Sequence, residues 1–260
     1  MADIDVSKLS ITQIDQITCF NNADELEFIM DEIQEGSIKN AQEKTDITGR
    51  GGRKISSLKK NKSVTISATN GVLVGGALAA QTGSEVEQGK FNVRVTDVIT
   101  VTSDKASVTK TAVGTVGAEI GTIYKKNVSG SLGDKFTQVA GTPASTGEFA
   151  YDPSTNEITF FAGDLKDGDE VVAFYDVEVD SAKISNDSET YSKVLKMYID
   201  VQAVDLCDNI FHGQFIIPRA DFNGEFEINM GGDPTVHAIE AESLAGGCSG
   251  STKLWDLIIY

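Results

Sequence analysis

Short runs of Val, Ile, Thr and aromatic residues, each closed by Gly, Asn or Asp, recur along this chain. No other feature limits the fold as much. β-Branched side chains suit a pleated surface, and Gly, Asn and Asp suit tight turns. Candidate strands fall at residues 63–69, 91–102, 157–161, 170–178, 195–203, 211–218, 224–230, 237–242 and 254–260. In the run 224–230, Phe226 and Ile228 share one face, with Glu225 and Glu227 on the other. That alternation marks a half-buried antiparallel strand. Two hairpins are expected, one turning at Asp167-Gly168 within 160–174 and one at Asn223-Gly224 within 220–228. Both dipeptides supply the positive φ of a tight turn.

Helical signals are few. Residues 22–34 fit two periods: Leu26, Ile29, Met30 and Ile33 are spaced for a helix, while Leu26, Phe28 and Met30 are spaced for a strand. A short amphipathic helix is a further candidate at 188–196, resting on Tyr191, Val194 and Leu195. Residues 103–156 have weak periodicity and many Gly, Ser and Thr, the mark of long loops and short strands, or of an inserted β-subdomain. A chain of 260 residues is long enough to bury a substantial core.

The charge excludes several function classes. With 39 acidic and 22 basic side chains the formal net charge is −17. A phosphate grip on nucleic acid needs clustered Lys and Arg, and an anionic membrane would repel such a body. No apolar run is long enough for a spanning helix, and the polar, acidic start MADIDVSKLS carries no secretion signal. Three dispersed cysteines, Cys19, Cys207 and Cys248, argue against a disulfide framework and fit synthesis in a reducing compartment. The charge is also uneven. Residues 1–48 hold 11 acids and 3 bases, whereas residues 49–62 hold six bases (Arg50, Arg53, Lys54, Lys59, Lys60 and Lys62) and no acid. A basic segment on an acidic body is a candidate for self-complementary contact.

Catalytic and metal-binding patterns are weak. Only two histidines occur, His212 and His237, and no G-x-S-x-G, H-E-x-x-H or C-x-x-C motif is present. Cys207 and His212, with Asp205 and Asp208 nearby, lack the second ligand pair of a structural zinc site, so Cys207 is expected as a core cysteine near a strand edge. Asp164, Asp167, Asp169 and Glu170 cluster without calcium-loop spacing and read as a charged hairpin tip. The run Thr48 to Lys54 lacks the pattern of a phosphate loop. Neither cofactor nor metal is expected, and no enzyme activity.

Three stretches carry a family resemblance. In residues 26–73 an apolar segment leads into TDITGRGGRKISSLKKNKSVTISATNGVL. In residues 148–176 a G-x-F-x-Y-D run is followed by ITF and DGDEVVAFYD. In residues 205–260, FIIPRADFNGEFEINMGGD precedes HAIEAESLAG and LWDLIIY. Together they resemble the major tail tube proteins of bacteriophages, especially those of long, non-contractile tails of the siphophage type. The middle, 75–147, carries no such likeness.

The resemblance implies a mainly β fold of two packed antiparallel sheets, like a sandwich or barrel, with one short flanking helix and long loops. It tips residues 29–37 toward strand and turn. It implies a single domain over 1–260, with a flexible N-terminal arm at 1–20, a basic inter-ring loop at 40–62 and an inserted β-hairpin region or subdomain at 75–176. It implies a virion tail component, made in the host bacterial cytoplasm, whose hexameric rings stack into a tube. Its partners would be further copies of itself, a tape-measure protein, and tail terminator and baseplate proteins. DNA would pass through without specific binding, no membrane would be involved, and an acidic wall would repel phosphate. In this reading Arg50, Arg53, Lys54, Lys59, Lys60 and Lys62 contact a neighbouring ring. Leu254, Trp255, Leu257 and Ile258 are candidates for strand addition to a neighbour. A capsid decoration protein or surface adhesin is the alternative with similar composition.

Overall fold

The computed structural model describes residues 8–228, 236–246 and 252–260. In chain order the first strands are β1 (Ser10–Phe20), β2 (Leu26–Met30), β3 (Ile33–Thr48) and β4 (Lys54–Asn70), followed by helix α1 (Gly75–Thr82). Next come β5 (Glu87–Thr100), β6 (Lys105–Ser107), β7 (Ile120–Lys126), β8 (Leu132–Gln138), β9 (Glu148–Asp152), β10 (Glu157–Phe160) and β11 (Glu170–Lys183). The last are β12 (Val194–Val204), β13 (Ile210–Phe222), β14 (His237–Ser243) and β15 (Asp256–Ile259). The fold is mainly β with one short helix, as expected. The chain forms two compact units, one from residues 1–86 and 184–260 and one from Glu87–Lys183. The expected insertion, 75–176, is therefore shifted: α1 belongs to the first unit.

The first unit is an antiparallel sheet of order β2-β1-β12-β13-β14-β4-β3, with β15 also against β13. Its core follows from period-two alternation. In β12, Leu195, Met197, Ile199, Val201 and Ala203 are buried, and the residues between them lie on the other face. Val64, Ile66 and Ala68 of β4 and Ile239 and Ala241 of β14 complete the same apolar layer. Each such large side chain contributes roughly 1.5–3 kcal/mol when fully buried.

Helix α1 seats Ala77 and Ala80 in that core. Its small residues permit a close approach: a Cβ at Gly76 would lie 2.8 Å from the Glu27 carbonyl. The helix ends at Gly83, whose φ of +74° forms the left-handed cap and whose N–H donates to the Ala79 carbonyl.

The second unit is a seven-stranded sheet of order β5-β11-β7-β8-β9-β10-β6. It is antiparallel except where β8 and β9 run parallel, Thr137 opposite Glu148. The path starts on β5 and ends on its sequence neighbour β6, and Thr102 and Lys105 bridge the turn between them. The sheet thus curls toward a barrel around Phe136, Phe149, Phe160, Ile158 and Tyr175. Tyr175 Oη–H donates to Asp97 Oδ2 at 2.6 Å, and the Thr109 N–H donates to the same carboxylate at 2.8 Å. Burial alone raises the Asp97 pKa, but the donors from Thr109 and Tyr175 outweigh it and hold the carboxyl below its ordinary range.

Several expectations are corrected. Residues 10–20 of the expected flexible arm form β1, because Ile17 and Cys19 alternate into the core. Of the two periods open for residues 22–34 the strand one is realised: a turn at 22–25, β2, a corner at Asp31 and Glu32, then β3. No helix forms at 188–196, where a turn leads into β12. Gly168 does take a φ of +90°, but β10 pairs with β9 and β6 while β11 pairs with β5 and β7, so this turn joins distant strands. Asn223-Gly224 forms no hairpin. Residues 223–228 are not strand, and β13 pairs instead with β14, Ala220 opposite Ser243. The Asn223 side chain accepts the Glu225 N–H, a local turn that competes with a ladder. The end of that expected strand, 229–230, lies outside the described residues, as do residues 1–7 of the arm and Cys248.

Two predictions follow from this packing. A Cβ at Gly83 would lie 2.0 Å from the Tyr191 carbonyl oxygen. Gly83→Ala is therefore expected to destabilise the first unit by at least about 2 kcal/mol in urea denaturation, left-handed strain adding to the clash. A neutral result contradicts the cap. Asp97 has a folded pKa below its unfolded value, so its contribution is present above the unfolded carboxylate range and is lost as pH falls through the folded pKa. Asp97→Asn should cost about 1–3 kcal/mol at pH 7, and the gap from the parent should shrink below about pH 4. An equal gap at both pH values contradicts the account.

Candidate assembly surfaces

The basic segment is not a loop. Residues 33–41 of β3 pair with β4 inside the sheet, where β14 covers the far side of β4 at Thr65 to Asn70. Beyond Ala41 and Ser63, β3 and β4 pair only with each other among the described residues. The result is a two-stranded ribbon, exposed on nearly all of both faces. Gly51 and Gly52 turn its tip with φ of +78° and +75°, and the Gly49 N–H donates to the Arg53 carbonyl at 2.7 Å. Only glycine adopts such φ values without strain.

The six bases divide into two sets. Lys54 pairs with Asp46 at 2.6 Å and Lys60 approaches Glu43 at 3.8 Å. Both are exposed pairs, worth little and easily exchanged. Arg50, Arg53, Lys59 and Lys62 have no ion pair among the described residues. Lys59 stands directly opposite Lys44, an unfavourable like-charge pair. The ribbon also exposes Ile47, Ile55 and Leu58, at 51%, 65% and 57%. The sequence reading missed this apolar set because it weighed the segment by charge alone. An isolated two-stranded ribbon is marginal in water, and exposed aliphatic side chains on it mark a contact surface.

The C-terminal candidate is taken up within its own chain. β15 pairs with β13, Gly213 opposite Ile259, and Tyr260 exchanges two backbone hydrogen bonds with His212. Leu254 and Trp255 precede the strand and pack on the core, the Trp255 ring edge-on to Phe215 at 5.7 Å. Leu257 and Ile258 remain substantially exposed, and the outer edge of β15 has no strand partner among the described residues.

A third surface is the outward face of the first sheet. Register places Gln16, Asp200 and Gln214 side by side, with Glu242 opposite Thr65 and Glu240 opposite Ser67. Asp200 accepts from the Gln16 and Gln214 amides at 2.9 and 2.7 Å, without a cation partner among the described residues. Ser37 and Ser67 hydroxyls meet at 2.9 Å. The face is thus a sheet-wide lawn of carboxylates, amides and hydroxyls over an apolar core.

The remaining reactive groups are dispersed. Cys207 is exposed in the turn after β12, not buried as expected, because Asp205 accepts its N–H and that of Asn209 to form a tight turn. Cys19 is buried, and desolvation pushes its thiol pKa well up. His237 is buried, with Nδ1 accepting the Val74 N–H, which leaves Nε2–H to donate to Gln81; burial lowers its pKa. Asp164, Asp167 and Asp169 each accept different backbone N–H groups, from Gly147, Ser103 and Lys166. Among the described residues no group of three His, Cys, Asp or Glu is placed to hold a metal. No described helix is long and apolar enough to cross a membrane.

The model of the YomU/Tube protein family matches residues 9–254, nearly the whole chain. No curated protein matches it.

Proposed function

The chain belongs to the YomU/Tube protein family, and from that premise we propose that it is the subunit of a phage tail tube that stacks as rings. The family match speaks for a structural virion component rather than a catalyst. Hexameric rings, a long non-contractile tail, a tape-measure protein inside the growing tube, and terminator and baseplate proteins at its ends complete the reading. DNA passes through without being held.

The observation that carries the reading is the β3–β4 ribbon. It extends beyond the sheet, bears cations without ion-pair partners among the described residues and exposes aliphatic side chains, on a chain whose formal net charge is −17. A heterologous contact between such a ribbon and an acidic body repeats without closing, and so builds a filament. The β14 side of the polar face, around Glu240 and Glu242, suits the wall of the bore. Its carboxylates repel phosphate, and mobile cations screen what remains.

Replacing Arg50, Arg53, Lys54, Lys59, Lys60 and Lys62 with Ser should abolish tube growth in negative-stain images while leaving thermal unfolding nearly unchanged, since all six lie on the exposed ribbon. Tubes of normal length from that variant would overturn the ribbon's role.

A further inference from the structure

The ribbon's destination is legible at the β2 edge of the same unit. On the polar face, at the β2 edge, Leu26 and Ile29 are 54% and 43% exposed. They join Phe20 and Tyr198, whose rings meet edge-on at 5.7 Å, to line a shallow groove of about 490 Å³. Asp24 and Asp200 border it. An aliphatic and aromatic patch set in a face of amides and carboxylates is the pattern of a contact site.

The ribbon carries the complementary pattern. Thr45 stands opposite Leu58 and Ile47 opposite Ser56, so Ile47 and Leu58 are diagonal neighbours on one face. Along β4, Ser56 and Lys60 share that face with Leu58, whereas the register shift between Ile47 and Thr48 turns Lys54 to the other face, where it pairs with Asp46. Two aliphatic side chains beside Lys60, whose exposed contact with Glu43 at 3.8 Å is easily exchanged, thus match an apolar groove bordered by carboxylates. Asp200 has no cation partner among the described residues, and the exposed Asp24–Lys196 pair at 3.3 Å is weak enough to exchange.

We propose that the ribbon of one copy seats in the β1–β2 groove of a second copy, with Leu58 and Ile47 against Leu26 and Ile29 and Lys60 toward the carboxylates of Asp24 and Asp200. This rests on the reading of the chain as a self-assembling tube subunit and names the surface that receives the ribbon. Apolar burial provides the attraction, and the charges fix the register and exclude like-charged alternatives.

The test uses the full chain with Cys207→Ser and Cys248→Ser, carrying Leu58→Cys and Ile29→Cys together. The protein is assembled under reducing conditions, oxidised, and divided between a non-reducing gel and negative-stain grids. A ladder of covalent multimers from tube-containing samples is the expected result. Tubes without a ladder, or a cross-link confined to the single chain, would overturn the inference while leaving the tube reading intact. A parent protein that stays monomeric at high concentration would remove both. A second variant guards against a folding artefact: Leu26→Ser with Ile29→Ser changes only exposed side chains. It should raise the critical concentration for assembly about tenfold or more with an unchanged melting temperature. An unchanged critical concentration would contradict the groove as the seat.

Discussion

Open strand edges govern this structure. A sheet that ends leaves a row of unpaired N–H and C=O groups, and the chain must pair them, cover them or use them. The second unit brings its edge strands together at the β5–β6 turn. The first pairs β15 onto β13 and packs Leu254 and Trp255 against the core. It leaves the β3–β4 ribbon beyond Ala41 with no further strand to pair with among the described residues. The same hydrogen-bonding rule thus yields a closed body in one part of the chain and a reaching element in another.

Charge then decides what the open element does. A body carrying −17 repels copies of itself unless some surface reverses the sign. In the proposed assembly six bases within residues 49–62 supply that reversal, on a ribbon that also carries exposed aliphatic side chains. Long-range attraction and short-range apolar burial therefore sit on one element. The acidic, amide-rich face of the first sheet is suited to the opposite task, staying wet and holding no polyanion.

Legibility in the sequence followed the physics of each segment. Clean alternation identified β12 and β14, since half-buried strands leave a period of two. Turn dipeptides were less reliable. Gly168 does turn the chain, but the turn itself says nothing about which strands will lie side by side. At Asn223-Gly224 a local side-chain bond replaced the expected hairpin. Helix α1 was missed because its run GGALAAQT has no strong amphipathic stripe; it is held by close approach of small residues and capped by Gly83. The basic segment stood out by charge, yet its strand character was hidden, since a ribbon exposed on both faces has no buried side to impose alternation. The groove at Leu26 and Ile29 arises from register between β1, β2 and β12, which a linear pattern does not encode.

The central claim is that the β14 side of the first sheet's polar face lines a bore once copies assemble. Glu240, on that face, offers a direct probe. With Cys207→Ser, Cys248→Ser and Glu240→Cys, labelling by a small maleimide and by a bulky polymer-linked maleimide is compared in tubes and in dissociated subunits. The account predicts that the small reagent reacts in both states and the bulky one only with subunits. Equal labelling of tubes by the bulky reagent would contradict it.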